Sequence, residues 1–252
     1  MQKIEFIMGM PIIVDIVDGQ AFDEVFSYFR YVDEKFSPYR ADSEVSQINK
    51  SQNPNFKYSK DMREILDLAE KTKKETNGYF DIYRNGYMDP SGIVKGWAIY
   101  RSSQILKNLG CKNFYINAGG DIQTSGLNSE GEKWSIGISN PFNVHENVKV
   151  VYLSGEGIAT SGVYERGNHI YLPADAAHQA LQAGNPNIVS LTVIAKNVYE
   201  ADRFATAAFA MGKEGINFVE KQKGLEGYMI NKDGFATMTT GFEKCLKKLT
   251  TS

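Results

Sequence analysis

The segment EADRFATAAFAMG carries a carboxylate and a hydroxyl four residues apart, at Asp202 and Thr206. On a helix this spacing places both side chains on one face, where their oxygens can approach one point. Oxygen ligands of this kind suit Mg²⁺, which takes one or two protein carboxylates and completes its shell with water and phosphate oxygens. A local role is the alternative: Asp202 complements the dipole of the first helical turn, and Thr206 bonds back to a carbonyl. The spacing alone favours the local role.

Three short segments could bring N–H groups or a cation to a phosphate. NAGGD contains Gly119 and Gly120, and ATSG contains Ser161 and Gly162; successive backbone N–H groups in such turns can donate to anions. Lys95, in SGIVKGWAI at the start of a predicted helix, could meet a phosphate beside the positive helix end. Ordinary turns and a solvated lysine explain the same residues. The patterns GxxxxGK[ST] and GxGxxG are absent, so neither a P-loop nor a Rossmann site is supported.

One histidine stands out from the other two. His169 directly precedes the apolar segment IYL, and a histidine there can serve as a general base or orient a ligand. His145 and His178 lie among polar residues and are expected on the surface. Cys111 and Cys245 lie far apart without CxxC spacing, so both are predicted to be buried small apolar residues, and a zinc site is not expected.

Composition limits the class of protein. With 252 residues, 42% of them hydrophobic, the chain can bury the core of one large domain or two small lobes. The net charge of -2, with Lys and Arg scattered, argues against nucleic-acid binding. No apolar run approaches the roughly 20 residues of a membrane span. The start MQKIEFIMGMPIIVDIV lacks the features of a secretory signal, so we expect a cytoplasmic protein unless a leader has been removed.

The elements that must position these residues follow from hydrophobic periodicity and from turn residues. Helices and strands occur without strict βαβ alternation, which favours an α+β fold of mixed sheets packed with helices. The patterns predict a strand over 3–17, helices over 21–35, 59–76, 92–109, 200–211 and 213–221, a short helix capped by Ser43, strands at NFYIN, WSIGIS, VKVVYLSG, GIATSG, HIYL and 188–195, and a hairpin at GYMINKDGFATMT.

Several of these segments, taken in order, resemble a known family. From about residue 8 to residue 212 the chain is similar to the FAD:protein FMN transferases, also called ApbE-like flavin transferases. Each motif alone is unspecific, but eight of them in family order make chance an unconvincing explanation. The motifs are MGMPIIVDI, FSPYRADSEVSQIN, GYFDI, SGIVKGWAI, NAGGDI, ATSGVYER, HIYLP and VIAKNVYEADRFATAAFAMG.

The resemblance implies a fold, a reaction and partners. The fold would be the α+β fold of the ApbE-like flavin transferases, as one domain over 1–252 or as two closely packed lobes. Members of the family bind FAD as substrate with Mg²⁺ and transfer the FMN half to a Thr or Ser hydroxyl of an acceptor protein, which releases AMP. Some members also hydrolyse FAD to FMN and AMP. Neither the acceptor nor the oligomeric state is indicated by the sequence.

Carried over position by position, the resemblance also implies site residues. Mg²⁺ would be held by Asp202, Thr206 and a backbone carbonyl near Val94. His169 would be both a cofactor contact and the base that takes the acceptor proton, with Asp121 as the reserve. The residues implied to bind the flavin nucleotide are Met8, Tyr39, Tyr79, Phe80, Asp81, Lys95, Asn117, Gly119, Gly120, Asp121, Ser161, Gly162 and His169.

The chain departs from the family pattern after His169. Leu172 stands where the family has an acid, and ADAAHQALQAGNPN at 174–187 replaces a Thr-Gly turn. An apolar residue accepts no hydrogen bond, so another acid such as Asp175 would have to support the histidine. Two alternatives to the transferase therefore stay open: an FAD pyrophosphatase, in which water replaces the acceptor hydroxyl, and a flavin-binding protein without turnover.

Overall fold

The computed structural model describes residues 1–51, 56–84, 86–162 and 187–246. These residues form six α-helices and twelve strands. The helices are α1 (Phe22–Phe36), α2 (Glu44–Lys50), α3 (Lys60–Glu75), α4 (Ser91–Asn108), α5 (Val198–Ala210) and α6 (Gly215–Lys221). The strands are β1 (Gln2–Ile7), β2 (Met10–Ile16), β3 (Tyr83–Arg84), β4 (Tyr87–Met88), β5 (Phe114–Ala118), β6 (Asp121–Ser125), β7 (Trp134–Asn140), β8 (Asn143–Leu153), β9 (Gly157–Gly162), β10 (Ile188–Ala195), β11 (Glu226–Asn231) and β12 (Ala236–Met238).

An antiparallel sheet of eight strands runs through the described residues, in the order β1-β2-β5-β6-β9-β10-β11-β12. Two separate hairpins, β3-β4 and β7-β8, accompany it. The sheet is antiparallel throughout and the helices are not interleaved as regular crossovers, so the predicted α+β class is confirmed.

The two faces of the sheet bury different partners. Phe114, Ile116 and Ala118 alternate along β5 and join the core formed with α1, α3 and α4. Tyr115 lies on the opposite face and stacks on Trp134 of β7, with ring centroids 5.6 Å apart. The β7-β8 hairpin therefore covers one face while the helices cover the other, as the period of two along a strand requires.

The prediction of one strand over 3–17 was wrong. The backbone reverses at Met8 and Gly9, which have φ angles of 56° and 73°, and β1 pairs with β2 from Ile7 opposite Met10 outward. Positive φ at both central residues is the conformation of a two-residue hairpin turn whose twist matches its strands. The alternating pattern continues through this turn, and so the period alone did not reveal the reversal.

Where they are described, the remaining predicted elements agree with the structure to within two or three residues, except that β8 begins at Asn143, five residues before the strand predicted at VKVVYLSG. Ser43 and Ser59 accept hydrogen bonds from Ser46 N and Met62 N, as expected of N-caps. Cys111 is buried as predicted, whereas Cys245 is only half-buried. The predicted strand HIYL lies outside the described residues. In the described part of the chain, no helix combines the length and apolarity needed to cross a membrane.

Candidate functional site

A cleft of about 540 Å³ opens where two hairpin turns meet the end of α1 and the start of α4. The β5-β6 turn lies beside the β1-β2 hairpin because Gly119 N donates to Pro11 O at 3.3 Å. Five of the residues predicted from the sequence line this cleft. The complete lining is Met8, Gly9, Met10, Asp33, Phe36, Ser37, Pro38, Tyr39, Asp89, Ser91, Val94, Lys95 and Gly119.

A buried ion pair supplies the cation of the cleft. Lys95 of α4 pairs with Asp121 of β6, and their side chains are only 6% and 0% exposed. Asp121 Oδ1 also accepts from Thr160 N of β9 at 3.2 Å. A buried charge is costly unless paired, so Asp121 fixes the lysine in this position by neutralising it and by tying α4 to two strands. The solvated lysine considered from the sequence is excluded by this burial.

The two turns beside the cleft depend on unusual backbone conformations. Met8 has a φ of 56°, which costs a residue with a side chain roughly 1–2 kcal/mol. Gly119 has a φ of 57°, and a Cβ there would lie 2.8 Å from Met10 Sδ. The positive φ is therefore what favours glycine at this position, because the flexible Met10 side chain could move away from a Cβ. Asn117 secures the same turn, because its Oδ1 accepts from Gly120 N at 2.9 Å.

The predicted metal ligands Asp202 and Thr206 lie where α5 crosses α4. Gly96 N donates to Asp202 Oδ2 at 2.8 Å. A Cβ at Gly92, one turn earlier, would lie 3.6 Å from Thr206 Cγ2. The two side chains therefore share the face of α5 that meets α4, as their spacing predicted. The first-turn acid of α5 is Glu200, not Asp202, so the local dipole role weighed for Asp202 is wrong.

A second buried charge holds α5 against α3. Arg203 is 3% exposed and pairs with Glu200 on its own helix and with Glu75 at the end of α3. Its guanidinium also lies 3.9 Å from the centroid of the Phe204 ring. Burial raises the pKa of neighbouring Tyr199 to about 12, so this hydroxyl remains protonated. The helix that carries Asp202 is thus anchored to α3 by a buried ion pair.

The GYFDI segment lies outside the cleft lining. Phe80 is buried, and its ring is 3.5 Å from the position of a Cβ at Gly92, so it supports the start of α4. Tyr79 is half-buried after the end of α3. Asp81 pairs with Lys73 at 2.7 Å and lines a different depression of about 280 Å³. The cofactor contacts implied for these residues stay predictions.

Other predicted residues border the site without lining the cleft that the described residues form. Ser161 and Gly162 are buried at the end of β9, opposite Leu191 and Ser190 of β10. The strand end places them near the same end of the sheet as the two turns. His169 lies outside the described residues, as do Leu172 and the segment 174–186.

Several lining residues were missed from the sequence. Asp33 and Ser37 lie one turn apart at the end of α1, flanking the core residue Phe36. Asp89 accepts from Ser91 N at 3.0 Å and forms a turn just before α4, whose N-cap position is Pro90. The Asp-Pro-Ser order before a helical pattern could have indicated this turn. Nothing local in the sequence indicates that α1 ends beside it.

Comparisons with known proteins identify the family. The chain matches the model of the ApbE family over residues 8–85 and 82–229. It is 33% identical over 154 residues to the FAD:protein FMN transferase of Escherichia coli K12, covering 59% of this chain and 43% of that protein. It is 31% identical over 175 residues to the FAD:protein FMN transferase of Haemophilus influenzae, covering 65% of this chain and 49% of that protein. The chain thus spans about half the length of the curated relatives it matches.

Solved structures confirm the fold. The ApbE protein of Thermotoga maritima superposes with a TM-score of 0.84 at 21% identity, over 98% of this chain and 99% of that chain. The flavin transferase ApbE of Vibrio cholerae gives a TM-score of 0.82 at 23% identity over the same shares. The eight-stranded sheet with its helical layer is therefore the fold found in those proteins, and the chain belongs to the ApbE family.

Proposed function

We propose that the chain is an Mg²⁺-dependent FAD:protein FMN transferase that moves FMN from FAD to a Thr or Ser hydroxyl of an acceptor protein and releases AMP. The observation that carries this proposal is the cleft itself. It combines an apolar wall with a fixed buried cation, Lys95, at the start of a helix and beside a Gly-Gly turn. The names of the relatives supply the reaction, and the cleft supplies chemistry that suits a flavin nucleotide.

The cleft divides into parts that suit the two ends of such a substrate. Met8 and Tyr39 offer surfaces for a flat aromatic ring. The Lys95 ammonium, which pairs with Asp121 but carries three N–H donors, and the positive end of the α4 dipole suit a pyrophosphate. In the transfer, the acceptor hydroxyl oxygen attacks the phosphorus of the FMN half. A new P–O bond forms, the bond to the AMP oxygen breaks, and the hydroxyl proton passes to a base.

The residues proposed to hold Mg²⁺ fit a hard cation. They are the Asp202 carboxylate, the Thr206 hydroxyl and a carbonyl near Val94, which are all oxygen ligands with one charge among them. Mg²⁺ would complete its shell with water and phosphate oxygens. When bound, the ion would neutralise charge that develops on the phosphoryl oxygens.

His169 is the proposed base, with Asp121 in reserve. The surroundings of Asp121 favour the histidine, because one carboxylate oxygen pairs with Lys95 and the other accepts from Thr160 N. Both carboxylate oxygens of Asp121 are thus already engaged by other groups of the protein. We expect His169→Ala to slow transfer more than it weakens FAD binding. Equal losses of binding and turnover would make the histidine a cofactor contact instead.

The test is to incubate the protein with FAD and Mg²⁺, with and without a flavin-acceptor domain that carries a suitable Thr. AMP release is followed by chromatography and covalent FMN on the acceptor by mass spectrometry. Acceptor-linked FMN would establish the transferase, AMP with free FMN alone would indicate a pyrophosphatase, and intact FAD would indicate a binding protein. Asp202→Asn should abolish Mg²⁺-dependent AMP release. Asp233→Asn, on an exposed hairpin turn, is the matched control and should not.

A further inference from the structure

Asp33 is a cleft residue to which neither the sequence nor the family resemblance gave a role. It lies on α1, one turn before Phe36 and Ser37, and is half-buried. The cleft that Asp33 lines has an apolar part formed by Met8, Phe36 and Pro38. A carboxylate in such surroundings loses part of its hydration, which must be replaced by hydrogen bonds if the charge is to be retained without cost.

The described residues do not supply those hydrogen bonds. Within the described residues, no hydrogen bond or ion pair reaches the Asp33 carboxylate. Arg40 attracts it only from beyond contact distance, and burial still raises the pKa of Asp33 above its ordinary value. The other two carboxylates at the site differ, because Asp89 accepts from Ser91 N and Asp121 pairs with Lys95. Asp33 is thus the acceptor in this cleft that lacks a donor in the described chain.

The position of Asp33 favours one kind of donor. A phosphate would be repelled by a carboxylate and has Lys95 to bind it. The apolar neighbours suit a flat heteroaromatic ring, and the edges of both rings of a flavin dinucleotide carry N–H donors. A carboxylate that accepts from such an edge would discriminate strongly, because a ring without the donor leaves the buried acceptor unpaired.

We infer that Asp33 is a specificity-determining residue that accepts a hydrogen bond from a ring N–H of the bound dinucleotide, either the imide N–H of the isoalloxazine or the exocyclic amino group of adenine. This inference rests on the proposed function, since it assumes that FAD occupies the cleft.

Equilibrium dialysis with FAD tests the inference without turnover. A hydrogen bond to a charged acceptor corresponds to a loss of about 10- to 100-fold in affinity when it is removed. We expect Asp33→Ala to raise the Kd for FAD by that factor. The isosteric Asp33→Asn keeps an oxygen acceptor and should lose less. Glu34→Gln, which removes an exposed charge from the next position of the same helix, should leave the Kd unchanged.

Two FAD analogues distinguish the rings. One is methylated at the imide nitrogen, and the other lacks the adenine amino group. The analogue that lacks the relevant donor should bind the unaltered protein about as weakly as FAD binds Asp33→Ala, and the substitution should then cause no further loss. If Asp33→Ala and Asp33→Asn bind FAD within twofold of the unaltered protein, the inference fails and the proposed function survives. If the unaltered protein does not bind FAD, both fail.

Thermal unfolding separates this role from a structural one. Because burial raises the folded-state pKa of Asp33 above the unfolded value, the stability linked to this group is present at low pH and lost as pH rises through the folded pKa. At pH 7 the ionised carboxylate therefore costs stability, and Asp33→Asn should leave Tm unchanged or raise it. A lower Tm with an unchanged Kd would assign Asp33 to the fold and overturn the inference.

Discussion

Replacing Gly96 with alanine should displace Asp202, a proposed metal ligand, because Gly96 packs directly against it. A Cβ at this position would lie 2.7 Å from Asp202 Cβ, 2.9 Å from Asp202 Oδ2 and 3.1 Å from Val198 O. Ordinary contacts begin near 3.4 Å, so Asp202 and the backbone of α5 must withdraw by about 0.7 Å. The 2.8 Å bond from Gly96 N to Asp202 would then be stretched to the limit of a hydrogen bond.

The expected energy follows from two opposed effects. Overpacking of this kind costs about 1–3 kcal/mol, and alanine recovers about 1 kcal/mol relative to glycine inside a helix. The net loss is therefore up to about 2 kcal/mol, equivalent to a decrease in Tm of up to roughly 8 °C in a chain of this size. The Mg²⁺-dependent activity should fall more than the stability, because metal-ligand oxygens tolerate displacements of only a few tenths of an ångström.

The assay is AMP release from FAD as a function of Mg²⁺ concentration, together with thermal unfolding. We expect Gly96→Ala to require several-fold more Mg²⁺ for half-maximal activity. Gly92→Ala on the same helix is the matched control, because its Cβ would meet Phe80 at 3.5 Å and Thr206 at 3.6 Å, which are ordinary contacts. An unchanged Mg²⁺ requirement in Gly96→Ala, with Tm equal to that of Gly92→Ala, would refute the role of this helix crossing.

Three further predictions concern the Lys95–Asp121 ion pair, the β1-β2 turn, and Asp18, which accepts hydrogen bonds from the segment that follows α4. Lys95→Met leaves Asp121 buried without its partner and should lower the free energy of unfolding by denaturant by about 3–5 kcal/mol. Adding Asp121→Asn should restore most of this stability but not FAD binding. Restored FAD binding would exclude Lys95 as a phosphate ligand. Met8→Gly should change the free energy of unfolding by less than about 1 kcal/mol, because relief of the positive φ is offset by the entropic cost of glycine. The same substitution should raise the Kd for FAD. An unchanged Kd would contradict the proposed contact between Met8 and a ring of FAD. Burial would raise the pKa of Asp18, but hydrogen bonds from Asn113 and Lys112 outweigh burial and hold the pKa below its ordinary value. Asp18→Asn should therefore lower Tm at pH 7. The difference in Tm between the two proteins should shrink below about pH 4, the unfolded pKa, and vanish as pH falls through the folded pKa. A difference that persists at pH 2 would show that the hydrogen bonds do not depend on the charge.

Local signals predicted most elements because each depends on neighbouring residues. The caps at Ser43 and Ser59 need only a hydroxyl followed by a helical pattern, and the β5-β6 turn needs only Gly119 and Gly120. The strand over 3–17 failed for the converse reason. Gly9 marks this turn locally, but Met8 is a poor residue for positive φ, so its conformation is imposed by the pairing of β1 with β2.

The order of motifs in the sequence was enough to indicate the family, and the helical spacing of Asp202 and Thr206 was enough to place both side chains on one helix face. Their role as metal ligands came from the resemblance and stays a prediction. The tertiary structure decided which residues share a site. It paired Lys95 with Asp121, set Gly96 against Asp202, and brought Asp33 to the cleft. Such contacts join residues that are far apart in the chain and depend on how sheet and helices pack, and the pattern around any one of these residues holds no information about its distant partner.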